Sequence, residues 1–96
     1  MSNQQKVAIV TGASQGIGAD LVKTFRDRNY RVIANSRSIK PSSDSDVITV
    51  AGDIADRAVA ERIVKEATSR FGRIDTLVNN AGIFTMKTTV AHPDYL

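Results

Sequence analysis

The chain has no cysteine and no tryptophan, one histidine and two prolines in 96 residues, and only 5% of it is aromatic. Without cysteine there is no disulfide framework, no thiolate metal ligand and no cysteine nucleophile, a composition that suits a reducing compartment. The single histidine, His92, stands beside Pro93 and reads as the opening of a helix rather than as a base. No spacing of ligand residues suggests a metal site. Long apolar runs are missing as well: nothing approaches the ~18 residues that span a bilayer. The start, MSNQQKVAIV, lacks the basic residues and long apolar stretch of a signal peptide. The expected location is therefore the cytoplasm, away from membranes. Nor is there a block of one charge. The 13 basic and 10 acidic residues are scattered, with a net charge of +3, and read as a solvated surface rather than a nucleic-acid footprint.

What is present is an ordinary globular composition, 42% apolar and 24% charged. The length allows one small domain, with a marginal core. Lys6 opens the apolar run Val7-Ala8-Ile9-Val10, which ends at Thr11 and fits a strand covered on both faces. The period then becomes helical, with Ile17, Leu21, Val22 and Phe25 on one face, and Asn29 as a stop. A second strand reads at Arg31–Asn35, a loop at Ser36–Asp46, and a third strand at Val47–Ala51. From about Asp56 to Arg70 the helical period returns, with Val59, Ile63, Val64, Ala67 and Phe71 inward and Gly72 at the position that favours a left-handed cap. Ile74–Val78 makes a fourth strand, closed by NNAG. Strands alternating with helices predict parallel βαβ units, in an α/β fold with right-handed crossovers.

The stretch TGASQGIG follows the first strand directly and opens the first helix. Such a turn presents the helix's N–H groups and dipole to whatever lies above it, which is a site for phosphate. Gly12 would let the chain turn, Gly16 would let the backbone approach a pyrophosphate, and Gly18 would let helix and strand pack closely. The spacing Gly-x-x-x-Gly-x-Gly departs from the usual Gly-x-Gly-x-x-Gly, and no Lys-Ser/Thr pair follows to make a P-loop. Alone, the motif is equally compatible with a turn that binds nothing.

TGASQGIG after VAIV, Asp53 after the third strand and NNAG after the fourth together resemble the short-chain dehydrogenase/reductase family, over roughly residues 6 to 85. The resemblance implies a partial Rossmann fold, a doubly wound parallel sheet of about four strands with flanking helices. Residues 1–96 would then be a truncated NAD(P)-binding domain. It also implies roles. Gly12, Gly16, Ile17 and Gly18 would form the pyrophosphate turn, with Ser14 and Gln15 towards the adenosine. Asp53 would accept from the adenine amino group with Ile54 against the ring, Asn79 would tie the fourth strand to its neighbours, and Asn80, Ala81 and Gly82 would line the ribose. The other reading of Asp53 is a cap for the following helix.

The end of the second strand decides between cofactors. An acidic residue there binds the 2′-hydroxyl of NAD, whereas an arginine accommodates the 2′-phosphate of NADP. Ser36 fills the acidic position and Arg37 follows it, with a fork of donors matched to phosphate oxygens. NADP is therefore expected over NAD, although Gln15 stands where many NADP-using members of the family carry a basic residue.

The family's chemistry is hydride transfer between nicotinamide and a carbonyl or alcohol carbon, with the tyrosine of Tyr-x-x-x-Lys as general acid/base. Tyr30 and Tyr95 are the only tyrosines, and neither has a lysine four positions on. No catalytic residue is assigned, and the chain resembles the cofactor-binding half of a family member, inactive by itself. A small carbonyl or alcohol substrate and a homo-oligomeric state are expected of a complete enzyme. The alternatives are a non-enzymatic NADP(H)-binding module and a truncation product without function. The family's strand order would place the fourth strand at an apolar edge, so an associated or marginally stable chain is expected.

Overall fold

The computed structural model describes residues 5–80. Its elements are β1 (Val7–Thr11), α1 (Gly16–Asp27), β2 (Arg31–Ser36), β3 (Val47–Ala51), α2 (Arg57–Glu66) and β4 (Thr76–Asn79). All four strands are parallel, in the order β3-β2-β1-β4. The α/β class, the strand order and the loop between β2 and β3 agree with the sequence reading.

Alternation along the strands explains the layers. Ile9, Ile33 and Val50 face one side of the sheet and bury against Ile63 and Ala67 of α2 and the turn after it. Val10, Val32 and Ala34 face the other side, where Leu21, Val22 and Phe25 of α1 pack. β1 is buried along its whole length, as a strand covered on both faces must be. Burying each such valine or isoleucine stabilises the fold by roughly 1.5–3 kcal/mol.

Three expectations are corrected. Ile17 does not join the core. It sits in the first turn of α1 with 67% of its surface exposed, too close to the glycine turn to reach the sheet. Val64 is half exposed, because it overhangs the β4 side beside Leu77, where nothing else among the described residues covers it. The second helix does not run regularly to Arg70. It continues past Glu66 as a wider π-type turn, Ala67–Phe71. Thr68 donates its hydroxyl to the Val64 carbonyl and Ser69 to that of Lys65, at 2.9 and 2.6 Å, drawing both carbonyls from a regular ladder. Gly72 then closes the turn at φ +82°, as expected of a left-handed cap.

β4 starts two residues later than the apolar pattern suggests, because Asp75 is used as an anchor. Its carboxylate accepts from the Val7 N–H at 2.8 Å, and its own N–H donates to the Val7 carbonyl at 2.9 Å. The Arg73 guanidinium, bound through two nitrogens at 2.8 and 2.6 Å, holds the Asp75 carboxyl below the usual carboxylate range, and the Val7 N–H adds to this. A depressed carboxyl contributes stability that is complete above its unfolded pKa and is lost as the pH falls towards the folded one. Unfolding midpoints in urea should therefore drop as the pH falls below about 4, and Asp75→Asn should weaken that dependence while lowering the midpoint at neutral pH. An unchanged acid dependence in the variant would remove Asp75 from this role.

Candidate functional site

The carboxyl ends of β1, β2 and β3 open onto one cleft of about 600 Å³. Its walls come from three segments far apart in sequence: the turn after β1, residues 35–38, and residues 52–55. In open α/β sheets, ligands bind at this edge of the strands.

The turn after β1 is built on two glycines in the left-handed region, Gly12 at φ +64° and Gly16 at φ +60°. Between them the Ala13 N–H donates to the Asn35 carbonyl at 2.9 Å, which stitches the turn to β2. Among the described residues nothing lies within 4 Å of where a Gly16 Cβ would stand. Packing therefore leaves that position open, and only the backbone conformation disfavours a side chain there. Gly18 is the opposite case: a Cβ would overlap the Gly12 carbonyl oxygen. The close approach expected at Gly18 is real, but its partner is the turn itself rather than the strand. Gln15 precedes α1 without capping it through its side chain, and the first turn of α1 has no acidic residue. The first turn of α1 thus places no anion of its own at the positive end of the helix dipole.

Cross-cleft contacts organise the other walls. The Ser14 and Ser36 hydroxyls share a hydrogen bond of 2.7 Å, so the turn after β1 touches the end of β2. Arg37 Nη2 lies 3.4 Å from Asp53 Oδ2, joining the end of β2 to the end of β3. Asp53 does not cap α2. Its Oδ1 accepts from the Ala55 N–H at 2.9 Å, whereas the cap is Asp56, which accepts from the Ala58 N–H at 2.9 Å. The cap reading of Asp53 is therefore set aside, and its second carboxylate oxygen faces the cleft mouth and Arg37.

Of the residues singled out by sequence, Gly12, Ser14, Gln15, Ser36, Arg37, Asp53 and Ile54 line this one cleft. Gly16, Ile17 and Gly18 belong to the same turn but not to its wall. Asn80 donates its side-chain N–H to the Gly12 carbonyl at 3.1 Å, and so braces the turn from β4. Asn79 accepts from the Thr11 hydroxyl at 3.0 Å, tying β4 to β1 as expected. Ala81, Gly82, His92 and Tyr95 lie outside the described residues. Tyr30 packs on Phe25, ring centres 4.9 Å apart, just before the start of β2 and so at the far end of the strand from the cleft.

One contributor escaped the sequence reading. Asn35 is buried, and its amide donates to the Val50 carbonyl at 2.8 Å and the Gly52 carbonyl at 3.2 Å. Together with the Ala13 bond to its own carbonyl, Asn35 fixes all three wall segments relative to one another. The available signal was an amide at the end of an otherwise apolar strand, where a buried polar group needs partners. Among the described residues no helix is long and apolar enough to cross a membrane, and no three His, Cys, Asp or Glu side chains gather as a metal site.

Comparison with known proteins adds to this geometry. The family model for short chain dehydrogenases matches residues 6–94. A 1,2-dihydroxy-1,2-dihydronaphthalene dehydrogenase of Ralstonia sp is 36% identical over 97 residues, covering 95% of this chain and 38% of its own. A crystal structure of a 3-ketoacyl-(acyl-carrier-protein) reductase from Brucella melitensis complexed with NADH superposes with a TM-score of 0.67 at 30% identity, over 75% of this chain and 32% of that one. An NADPH-dependent reductase involved in bacilysin biosynthesis gives 0.70 at 31% identity, over 80% and 37%. The chain thus spans about a third of the length of these relatives.

Proposed function

Because the chain belongs to the short-chain dehydrogenase family, we propose that residues 1–96 are the NADP(H)-binding part of an oxidoreductase acting on a small carbonyl or alcohol substrate. The observation that carries this is the cleft at the strand ends, where the glycine turn, Ser36–Arg37 and Asp53 meet. The residues fit a dinucleotide. Gly16 leaves open space beside the uncapped N-terminus of α1, which suits a pyrophosphate. Asp53 and Ile54 suit an adenine, with an acceptor for its amino group and an apolar contact for its ring. Asn80, Ala81 and Gly82 are assigned to the ribose side. Bound there, the cofactor would supply or accept a hydride; the chain's own residues bind and orient it.

NADP rather than NAD follows from the end of β2. Ser36 cannot make the two-point contact of a carboxylate to a ribose diol, and it does not repel a phosphate. The Arg37 side chain is 82% exposed at the cleft mouth, where its guanidinium can turn towards one. Similar proteins include both an NADH complex and an NADPH-dependent reductase, so the choice rests on these two residues. Arg37→Ala should weaken NADPH binding about ten-fold or more while changing NADH binding by less than about two-fold, as expected of one charge-assisted phosphate contact. Equal losses in a fluorescence titration of both cofactors would contradict the assignment.

No proton-transfer group is proposed within these residues. Neither tyrosine has a lysine four positions on, and the described cleft offers only serine, amide, arginine and aspartate side chains. The 96 residues by themselves are expected to bind without turnover. Homo-oligomeric assembly belongs to the same proposal: among the described residues β4 pairs only with β1, and Leu77 on it is 64% exposed.

A further inference from the structure

We propose that Asp53 limits the preference for a 2′-phosphorylated cofactor by holding Arg37 in an ion pair that an incoming 2′-phosphate must displace. The inference rests on the reading of the cleft as an NADP(H) site and concerns how that site discriminates.

Arg37 Nη2 stands 3.4 Å from Asp53 Oδ2, and this is its ion pair among the described residues. The turn orients the carboxylate. Its other oxygen accepts from the Ala55 N–H at 2.9 Å, and the Asp53 carbonyl accepts from the Asp56 N–H at 2.9 Å, so the turn fixes where the negative charge points. Both side chains line the same cleft. A guanidinium engages a phosphate best through two parallel donors. Arg37 must therefore turn from Asp53 to serve one, and the ion pair is lost. NAD carries no 2′-phosphate and meets no such cost. The residue that would receive the adenine amino group in both cofactors thus penalises only one of them. Since Arg37 is 82% and Asp53 49% exposed, solvent screens the pair and the penalty is modest.

The test compares binding of 2′,5′-ADP and 5′-ADP to the chain by calorimetry. Neither carries nicotinamide, so the readout is independent of any turnover. Asp53→Asn keeps the Oδ1 acceptor for Ala55 and removes the charge. It should raise the affinity ratio of 2′,5′-ADP to 5′-ADP by roughly 1.5- to five-fold, the size of an exposed ion pair. In an Arg37→Ala background the same substitution should change the ratio far less, because there is no arginine to release. An unchanged or lower ratio in Asp53→Asn, with 5′-ADP still bound, overturns the inference and leaves the cofactor site standing. An equal rise in both backgrounds overturns it too, since simple repulsion would then account for the effect. If neither nucleotide binds the unsubstituted chain, the cofactor reading fails and the inference fails with it.

Discussion

Gly18→Ala should leave the chain largely unfolded. The added methyl group would overlap the Gly12 carbonyl oxygen, with the Gly12 carbonyl carbon and Ala13 Cα only 2.7 and 2.9 Å away. These are backbone atoms of a turn stitched to β2 through the Ala13–Asn35 bond, so no flexible side chain can yield. Relief requires α1 to shift from the sheet, which would strip Leu21, Val22 and Phe25 from their contacts. The cost should be at least about 3 kcal/mol, against a total stability of roughly 5–15 kcal/mol for an ordinary domain and less for one of marginal core. Gly16→Ala is the informative control. Among the described residues its Cβ meets nothing within 4 Å, so the penalty is that of the left-handed backbone at φ +60°, about 1–2 kcal/mol. Urea unfolding should thus separate the two glycines, and a small effect of Gly18→Ala would mean that the turn and helix are not packed as described.

Asn35→Ala should cost about 2–3 kcal/mol, large for a residue that would touch no substrate. Its amide satisfies carbonyls at the end of β3, and its loss would leave the buried Val50 carbonyl without that donor. Asn35→Asp should be at least as damaging, because it replaces the donor with an anion facing two carbonyl oxygens. The consequence also reaches the cleft. Asn35 joins the three wall segments, so amide hydrogen exchange around Gly12, Arg37 and Asp53 should quicken in the variant before β1 itself loosens. A loss below about 0.5 kcal/mol would show that the amide contributes no more than a surface group.

How much of this was legible in the sequence varies with the physics. β3 was read to the residue, because a run of β-branched residues is bounded by Asp46 and Gly52, and propensity and turn chemistry agree there. The parallel sheet and its two covering layers followed from the change of period between strands and helices. β4 was misplaced because Ile74 is as apolar as Val78, and apolarity does not reveal that Asp75 would anchor β1. The wide turn after α2 was missed because Thr68 and Ser69 act through carbonyls one turn back, which a count of apolar positions does not register. At the site, residue types at the strand ends pointed to the cleft, and most of them line it. The pairs Ser14–Ser36, Arg37–Asp53 and Asn80–Gly12 depend on strand register and became visible only in three dimensions.

The central claim is that a phosphorylated dinucleotide lies across the glycine turn and the ends of β2 and β3. Titrating the nitrogen-labelled chain with NADPH, while following backbone amide shifts, tests it most directly. The account predicts saturable shifts concentrated at Gly12–Gly18, at Ser36 and Arg37, and at Asp53 and Ile54. An absence of saturable shifts, or shifts confined to the outer face of α2 around Val64, would contradict it.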